Sequence, residues 1–254
     1  MDKCTFLRNA LRQKRPALGT WLTLPGTAVA RTIASVPGLQ WILIDAEHGQ
    51  ITDRDYYELN NAIVSHGVSP IIRIPFADGW LIKRALDSGA QGIMVPMIHT
   101  AELAESVVQL SKFGPQGIRG YGSPFSHHAF GVDAREYELT CNEHLLTILQ
   151  IESQQGLDNI EAIAAVPGVD VIFIGPFDLA KSMNVDFGSE AHESAIIKVL
   201  EATKAAGKYA SIFCVSGEQA RKRLAQGFDM ASIATDTASL TRDLALQLRA
   251  VEST

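Results

Sequence analysis

Eight times along the chain a short run of apolar, largely β-branched residues gives way to a longer segment of helical periodicity, and nothing else in the sequence narrows the fold as much. The runs fall at residues 17–22, 41–45, 69–74, 92–95, 145–151, 169–174, 209–215 and 230–234. The helical segments fall at 27–36, 53–66, 79–88, 101–113, 156–165, 189–206, 217–226 and 236–251, with Thr27 a candidate cap for the first. Strands this uniformly apolar are buried on both faces, which calls for a parallel sheet covered by its crossover helices. Eight such units in 254 residues match the roughly 250 residues of a (β/α)8 TIM barrel, whose chemistry sits at the carboxyl ends of its strands. A doubly wound open sheet is the rival. Leu24-Pro25-Gly26-Thr27 after the first strand lacks the Gly-rich phosphate turn that a dinucleotide-binding sheet carries there. No solenoid repeat is present, so one domain over 1–254 is expected.

One stretch departs from the alternation. Residues 114–142 are punctuated by Gly, Pro, Ser and His and hold no steady period. A long irregular segment inside a compact domain is usually functional or mobile, and Gly120-Tyr121-Gly122-Ser123-Pro124 reads as a substrate-side loop.

A formal net charge of −6 with no Lys/Arg-rich run argues against nucleic acid and leaves small molecules as partners. Cys4, Cys141 and Cys214 are odd in number and scattered, which suits ordinary thiols in a reducing compartment. The first 15 residues lack the apolar centre of a signal peptide. No later run approaches the ~20 apolar residues of a membrane span, so the cytosol is the expected location and no membrane the expected partner.

In a barrel, the polar residues at the strand ends converge. They are Asp45, Glu47 and His48 after the second strand, Arg73 on the third, Gln150 and Glu152 on the fifth, and Asp178 after the sixth. Glu152 and Asp178, from adjacent strands, can share one hard divalent cation and leave the rest of its sphere to water and substrate. Mg2+ suits such a set first, with Mn2+ or Co2+ as alternatives. A 2-oxo acid chelating that ion would have its carbonyl polarised and the adjacent carbon acidified, giving an enolate. Arg73 would then face the growing oxyanion and His48 would move the proton, with Asp45 or Asp87 orienting the imidazole. A Schiff-base mechanism needs a lysine projecting from within a strand. None is so placed: Lys83, Lys112, Lys204 and Lys222 fall on helices, Lys181 lies beyond a strand, and Lys208 stands at an amino end.

Each residue also has a plainer use. A single strand-end His or Arg is more often a hydrogen-bonded structural residue, Glu152 could be a salt-bridge partner, and Asp178 could cap the segment after it. Asp87 is, by pattern, an acid at a helix end before Gly89. His66 and His99 read as structural or solvated, and so do His127 and His128, with a substrate role open for that pair. Trp21 and Trp41 fit core positions, and 136–143 fits a solvated face.

The order Ile44-Asp45-Ala46-Glu47-His48-Gly49, Arg73-Ile74-Pro75, Asp87-Ser88-Gly89-Ala90-Gln91-Gly92, Arg119-Gly120-Tyr121-Gly122, Gln150-Ile151-Glu152-Ser153 and Phe173-Ile174-Gly175-Pro176-Phe177-Asp178 resembles the HpcH/HpaI family of class II pyruvate aldolases over nearly the whole chain. The resemblance implies Glu152 and Asp178 as metal ligands, Arg73 as enolate stabiliser and His48 as the proton-transfer residue. It further implies that Asp87 raises the basicity of that His, and that Gln150 with the backbone of Gly175, Pro176, Phe177 and Asp178 holds the pyruvate moiety. It implies a homo-oligomer, a hexamer built as a trimer of dimers that exchange the last helix. The reaction implied is cleavage of a 4-hydroxy-2-oxo acid to pyruvate and an aldehyde. Oxaloacetate decarboxylation, a macrophomate-synthase-like biosynthetic addition, and a non-catalytic 2-oxo acid binding protein are the alternatives. Two departures bear on the substrate. Phe177 stands where bacterial members usually have a small residue, and Ser123-Pro124-Phe125-Ser126-His127-His128-Ala129-Phe130 looks more like fungal members.

Overall fold

A computed structural model describes Met1 and residues 4–252. The strands are β1 Ala17–Leu22, β2 Trp41–Asp45, β3 Ser69–Arg73, β4 Gly92–Val95, β5 Leu146–Ile151, β6 Val171–Ile174, β7 Tyr209–Ile212 and β8 Met230–Thr235. They close in chain order into the parallel barrel that the alternation predicts, β8 pairing back onto β1.

Strand parity divides the apolar residues into two cores. Ile42 and Ile44 of β2, Ile72 of β3 and Leu149 of β5 face the helices. Trp41 and Leu43, Ile71, Ile148 and Phe173 fill the barrel interior together with Trp21, Met94 and Met230. The same parity carries Asp45, Arg73, Gln150 and Glu152 to the inner face one step further along their strands. Gly19 leaves room for the Trp41 indole, into which any Cβ at position 19 would run.

The amino end of the barrel is closed by the helix Phe6–Arg12, whose Leu7, Ala10 and Leu11 join the interior core. Its seven residues are too few to establish a period, although those three have the i, i+3, i+4 spacing of a helix face. With that end filled by apolar side chains, polar chemistry is left to the opposite mouth.

Several local expectations are corrected. Residues 114–142 are not free of regular structure: Ala134–His144 is a helix whose Asp133 cap accepts the Glu136 N–H at 2.8 Å. Only Tyr137, Cys141 and His144 of it are buried, so its apolar stripe is too narrow to show against the charged remainder. Thr27 does not cap its helix but opens it, behind Gly26 at φ 115°. Asp178 lies inside the first turn of a helix, Pro176–Ser182, which starts on proline, the residue best tolerated there. The segment predicted as one helix over 156–165 is two short ones, Gln154–Asp158 and Ile160–Ala164. Among the described residues no helix is long and apolar enough to cross a membrane. The last helix, Asp236–Glu252, leaves Leu240, Leu244, Leu248 and Val251 exposed along one stripe.

Candidate active site

The register that pairs Asp45 with Arg73 across β2 and β3 creates the most tightly held group at the carboxyl mouth. Arg73 donates through Nε to Asp45 Oδ1 at 2.9 Å and through Nη2 to Oδ2 at 2.7 Å, a fork that fixes the guanidinium plane. Its Nη1 lies 2.9 Å from Glu47 Oε2, and its carbon sits 4.4 Å from the centre of the Trp21 ring. Trp21 is thus a core residue with a second use, holding a cation over its face.

Asp45 Oδ1 also accepts the backbone N–H of Glu47 at 3.1 Å and of His48 at 3.3 Å. Its carboxylate is committed to Arg73 and to this turn, and it does not touch the imidazole, contrary to the orienting role expected of it. The nearest carboxylate to His48 is Glu47, with Oε1 4.0 Å from Nε2. The His48 side chain stands 71% exposed at the mouth.

Asp87 is likewise not at His48. It ends the helix Gly79–Asp87, and its Oδ1 accepts from Arg119 Nη2 at 2.7 Å. Arg119 is buried, stacks 4.5 Å from the Phe113 ring and donates to the Tyr137 hydroxyl at 3.1 Å. Within one chain, then, the Asp87 carboxylate serves to anchor the segment after residue 113 to the barrel's helical layer. Tyr57, Lys83, Tyr121 and Phe125 line a cavity of about 600 Å3 beside Asp87. His128 contacts the Tyr57 hydroxyl at 2.9 Å there, so this loop packs on a helix rather than over Glu152.

Glu152 follows β5 and is 3% exposed. Its Oε1 accepts the Met97 N–H at 3.0 Å and its Oε2 accepts from the Gln150 amide. Met97 holds that N–H in place from a left-handed conformation, φ 54°, which is strained for a residue with a side chain. Burial, reinforced by the negative charges of Asp178 and Glu47, pushes the Glu152 carboxyl up to about 7. Burial raises Glu47 as well, against the pull of Arg73. Gly175 is required by close approach: a Cβ there would meet the Glu152 carboxylate and come within 2.8 Å of Gln150 Nε2. Its own N–H is taken by the Ile151 carbonyl at 3.2 Å, so Gly175 contributes space rather than a free donor.

A cation fits this place. Among the described residues no cluster of three or more His, Cys, Asp or Glu is formed, but two carboxylates are a sufficient protein share for a hard ion that keeps water and substrate oxygens. Glu152 is a buried acid surrounded by like charge, and Gln150 Oε1 beside it is buried without a hydrogen-bond partner. Asp178 is exposed on the first turn of its helix, free to reach toward an ion.

One contributor, His192, is not visible in the sequence, and the surroundings of Phe177 appear only in the fold. His192 is fully buried; its Nδ1 accepts the Gly188 N–H at 3.0 Å, so Nε2 carries the proton and donates to the Pro176 carbonyl at 2.8 Å. It pins the turn that presents Asp178. Phe177, 46% exposed, stacks on Phe187 at 4.5 Å and meets the edge of Phe213 at 6.0 Å. Trp21 meets Phe213 edge-on at 5.1 Å, so an aromatic wall runs from Arg73 outward. A histidine in an amphipathic helix carries no local signal of such a role, and the ring partners of Phe177, which the sequence already singles out, lie well along the chain.

Fold and site together define a barrel enzyme whose acids and one fixed guanidinium meet at the carboxyl mouth. The chain belongs to the HpcH/HpaI aldolase/citrate lyase family, whose pattern matches residues 18–242, and it is a lyase. It is 37% identical over 241 residues to the hydroxypyruvate/pyruvate aldolase of Deinococcus radiodurans, covering 92% of this chain and 85% of that one. It is 34% identical to the 2-keto-3-deoxy-L-rhamnonate aldolase of Salmonella gallinarum, covering 97% and 92%. The crystal structure of an HpcH/HpaI aldolase/citrate lyase family protein from Burkholderia cenocepacia superposes with a TM-score of 0.89 at 36% identity, covering 97% and 98%.

Proposed function

We propose that the protein is a divalent-metal-dependent aldolase that cleaves a 4-hydroxy-2-oxo acid to pyruvate and an aldehyde through the enolate of pyruvate. The observation that carries this is Glu152, a buried carboxyl lifted to about 7 among other acids within the field of the fixed Arg73 guanidinium. The names of the relatives support pyruvate as the nucleophilic half. Glu152 and Asp178 would hold the ion, which supplies Lewis-acid polarisation of the 2-oxo group when bound.

The chain's own residues account for the remaining steps. Arg73, unable to rotate because Asp45 and Glu47 hold three of its nitrogens, presents positive charge to the C2 oxygen as it becomes an oxyanion. His48 takes the proton of the 4-hydroxyl, the C3–C4 bond breaks with its electron pair passing to the enolate, and the aldehyde departs. The same imidazole returns the proton to C3, giving the methyl group of pyruvate. Gln150 and the backbone at Pro176, Phe177 and Asp178 orient the 2-oxo acid, and the aldehyde half lies along the aromatic wall. The exposed leucine stripe of the last helix supports a homo-oligomer in which this helix packs on a neighbour.

Pyruvate release from 4-hydroxy-2-oxo acids, with oxaloacetate as a parallel substrate, tests the proposal. Activity should need Mg2+, Mn2+ or Co2+, vanish with a chelator and be lost in Glu152→Ala. Full activity after chelation would refute the metal dependence. Cleavage of oxaloacetate alone would assign decarboxylation instead.

A further inference from the structure

Asp236 is the first residue of the last helix and is 5% exposed. Both of its carboxylate oxygens are filled. Oδ2 accepts the backbone N–H of Thr23 at 2.8 Å and of Leu24 at 2.8 Å. Oδ1 accepts the Thr23 hydroxyl at 2.6 Å and the N–H of Thr237 at 2.8 Å. Only the last of these four donors belongs to the helix itself. The other three belong to the turn after β1, so helix capping does not account for the group.

That turn is the far support of the His48 segment. The Thr23 carbonyl accepts the Gln50 N–H at 2.8 Å. Gly49 lies directly against it: a Cβ at 49 would stand 3.0 Å from the Thr23 oxygen and 3.1 Å from its Cα. On its other side the segment is tied to Asp45 through the N–H groups of Glu47 and His48. His48, its side chain 71% exposed, makes no side-chain hydrogen bond among the described residues to steady its ring. Its placement is therefore set by its backbone, gripped between Asp45 and Thr23.

We infer that Asp236 is a positioning residue for His48, acting through Thr23, and that it joins the last helix to the proton-transfer segment of the site. Loss of the latch frees the Thr23–Leu24 turn and with it one of the two supports of residues 48–50. The residues proposed to hold metal and pyruvate, after β5 and β6 across the barrel, keep their own anchors in Met97, Gly175 and His192. This inference rests on His48 as the proton carrier.

The test is a double-mutant cycle on the full chain with Mg2+, following deuterium uptake into the methyl group of pyruvate, with folding checked by circular dichroism and assembly by light scattering. Asp236→Ala should lower kcat about 10- to 100-fold, as expected when a reacting group is misplaced by an ångström or less, with KM for pyruvate nearly unchanged. In a His48→Ala background the same substitution should cost less than about twofold in the residual rate, because the group it positions is gone. Asp236→Asn, which keeps one oxygen for the Thr23 and Leu24 N–H groups, should recover most of the rate and serves if the alanine variant does not fold. An equal loss in both backgrounds, a loss confined to KM, or unchanged kcat in both folded Asp236 variants would overturn the latch. A full exchange rate in His48→Ala alone would instead remove His48 from its role, and the latch with it.

Discussion

Replacing Glu152 by glutamine should make the metal-free protein more stable at neutral pH, by an amount that grows with pH. The Glu152 carboxyl lies at about 7 in the fold against 4.5 for an ordinary glutamate. Between those limits the folded chain holds a proton that the unfolded chain has released. Stability therefore falls as pH rises through this window and levels off above it. At about 1.4 kcal/mol for each tenfold change in proton affinity, the loss reaches about 3 kcal/mol by about pH 8. The amide introduced by Glu152→Gln has no proton to lose and still offers an oxygen to the Met97 N–H. Urea unfolding of the chelator-treated proteins would show the two stabilities close together near pH 4.5 and separated by about 3 kcal/mol at about pH 8. Mg2+ at a hundred times its dissociation constant should return about 2.7 kcal/mol to the wild type and nothing to Glu152→Gln. Parallel stability curves for the two proteins across that range would mean that the buried carboxyl carries no excess proton affinity.

Three further sets of substitutions test the geometry. Arg73→Ala should reduce turnover about 100-fold or more in a steady-state assay, because it acts on charge that grows in the transition state. The same change strips the buried Asp45 of its partner and should cost about 3 to 5 kcal/mol in denaturant unfolding. Gly175→Ala should weaken metal binding about 10- to 100-fold by calorimetry, since its methyl group displaces the Glu152 carboxylate and the Gln150 amide that orients it. Converting Leu240, Leu244 and Leu248 together to Ser should lower the assembled mass seen by light scattering, while circular dichroism shows the barrel retained.

The barrel is legible because each strand is a short apolar run closed off by Gly, Pro or a polar pair, and because eight of them recur without a break. The strand-end set is legible for a related reason: parity places Asp45, Arg73, Gln150 and Glu152 on the face that the apolar residues before them already occupy. What the sequence does not carry is the pairing among these groups. Asp45 meets Arg73 because of the β2–β3 register, a long-range property, and its carboxylate then faces the guanidinium and the backbone N–H groups of Glu47 and His48 rather than the imidazole. Asp87 is placed near His48 by resemblance, whereas within one chain the buried Arg119 claims it from a loop further along. Helix 134–144 is hidden in the sequence because its buried face amounts to Tyr137, Cys141 and His144. Asp236 and His192 look like an ordinary helix opener and an ordinary helix residue, and only the backbone groups they hold distinguish them.

In the proposed reaction Glu152, Asp178, Arg73 and His48 together make and protonate an enolate of pyruvate. Deuterium exchange into the methyl group of pyruvate, followed by proton NMR in the presence and absence of Mg2+, isolates that step from any question of the aldehyde partner. Exchange that requires the metal and disappears in Glu152→Gln and His48→Ala is the predicted result. No exchange with Mg2+, Mn2+ or Co2+, or undiminished exchange in Glu152→Gln, would contradict it.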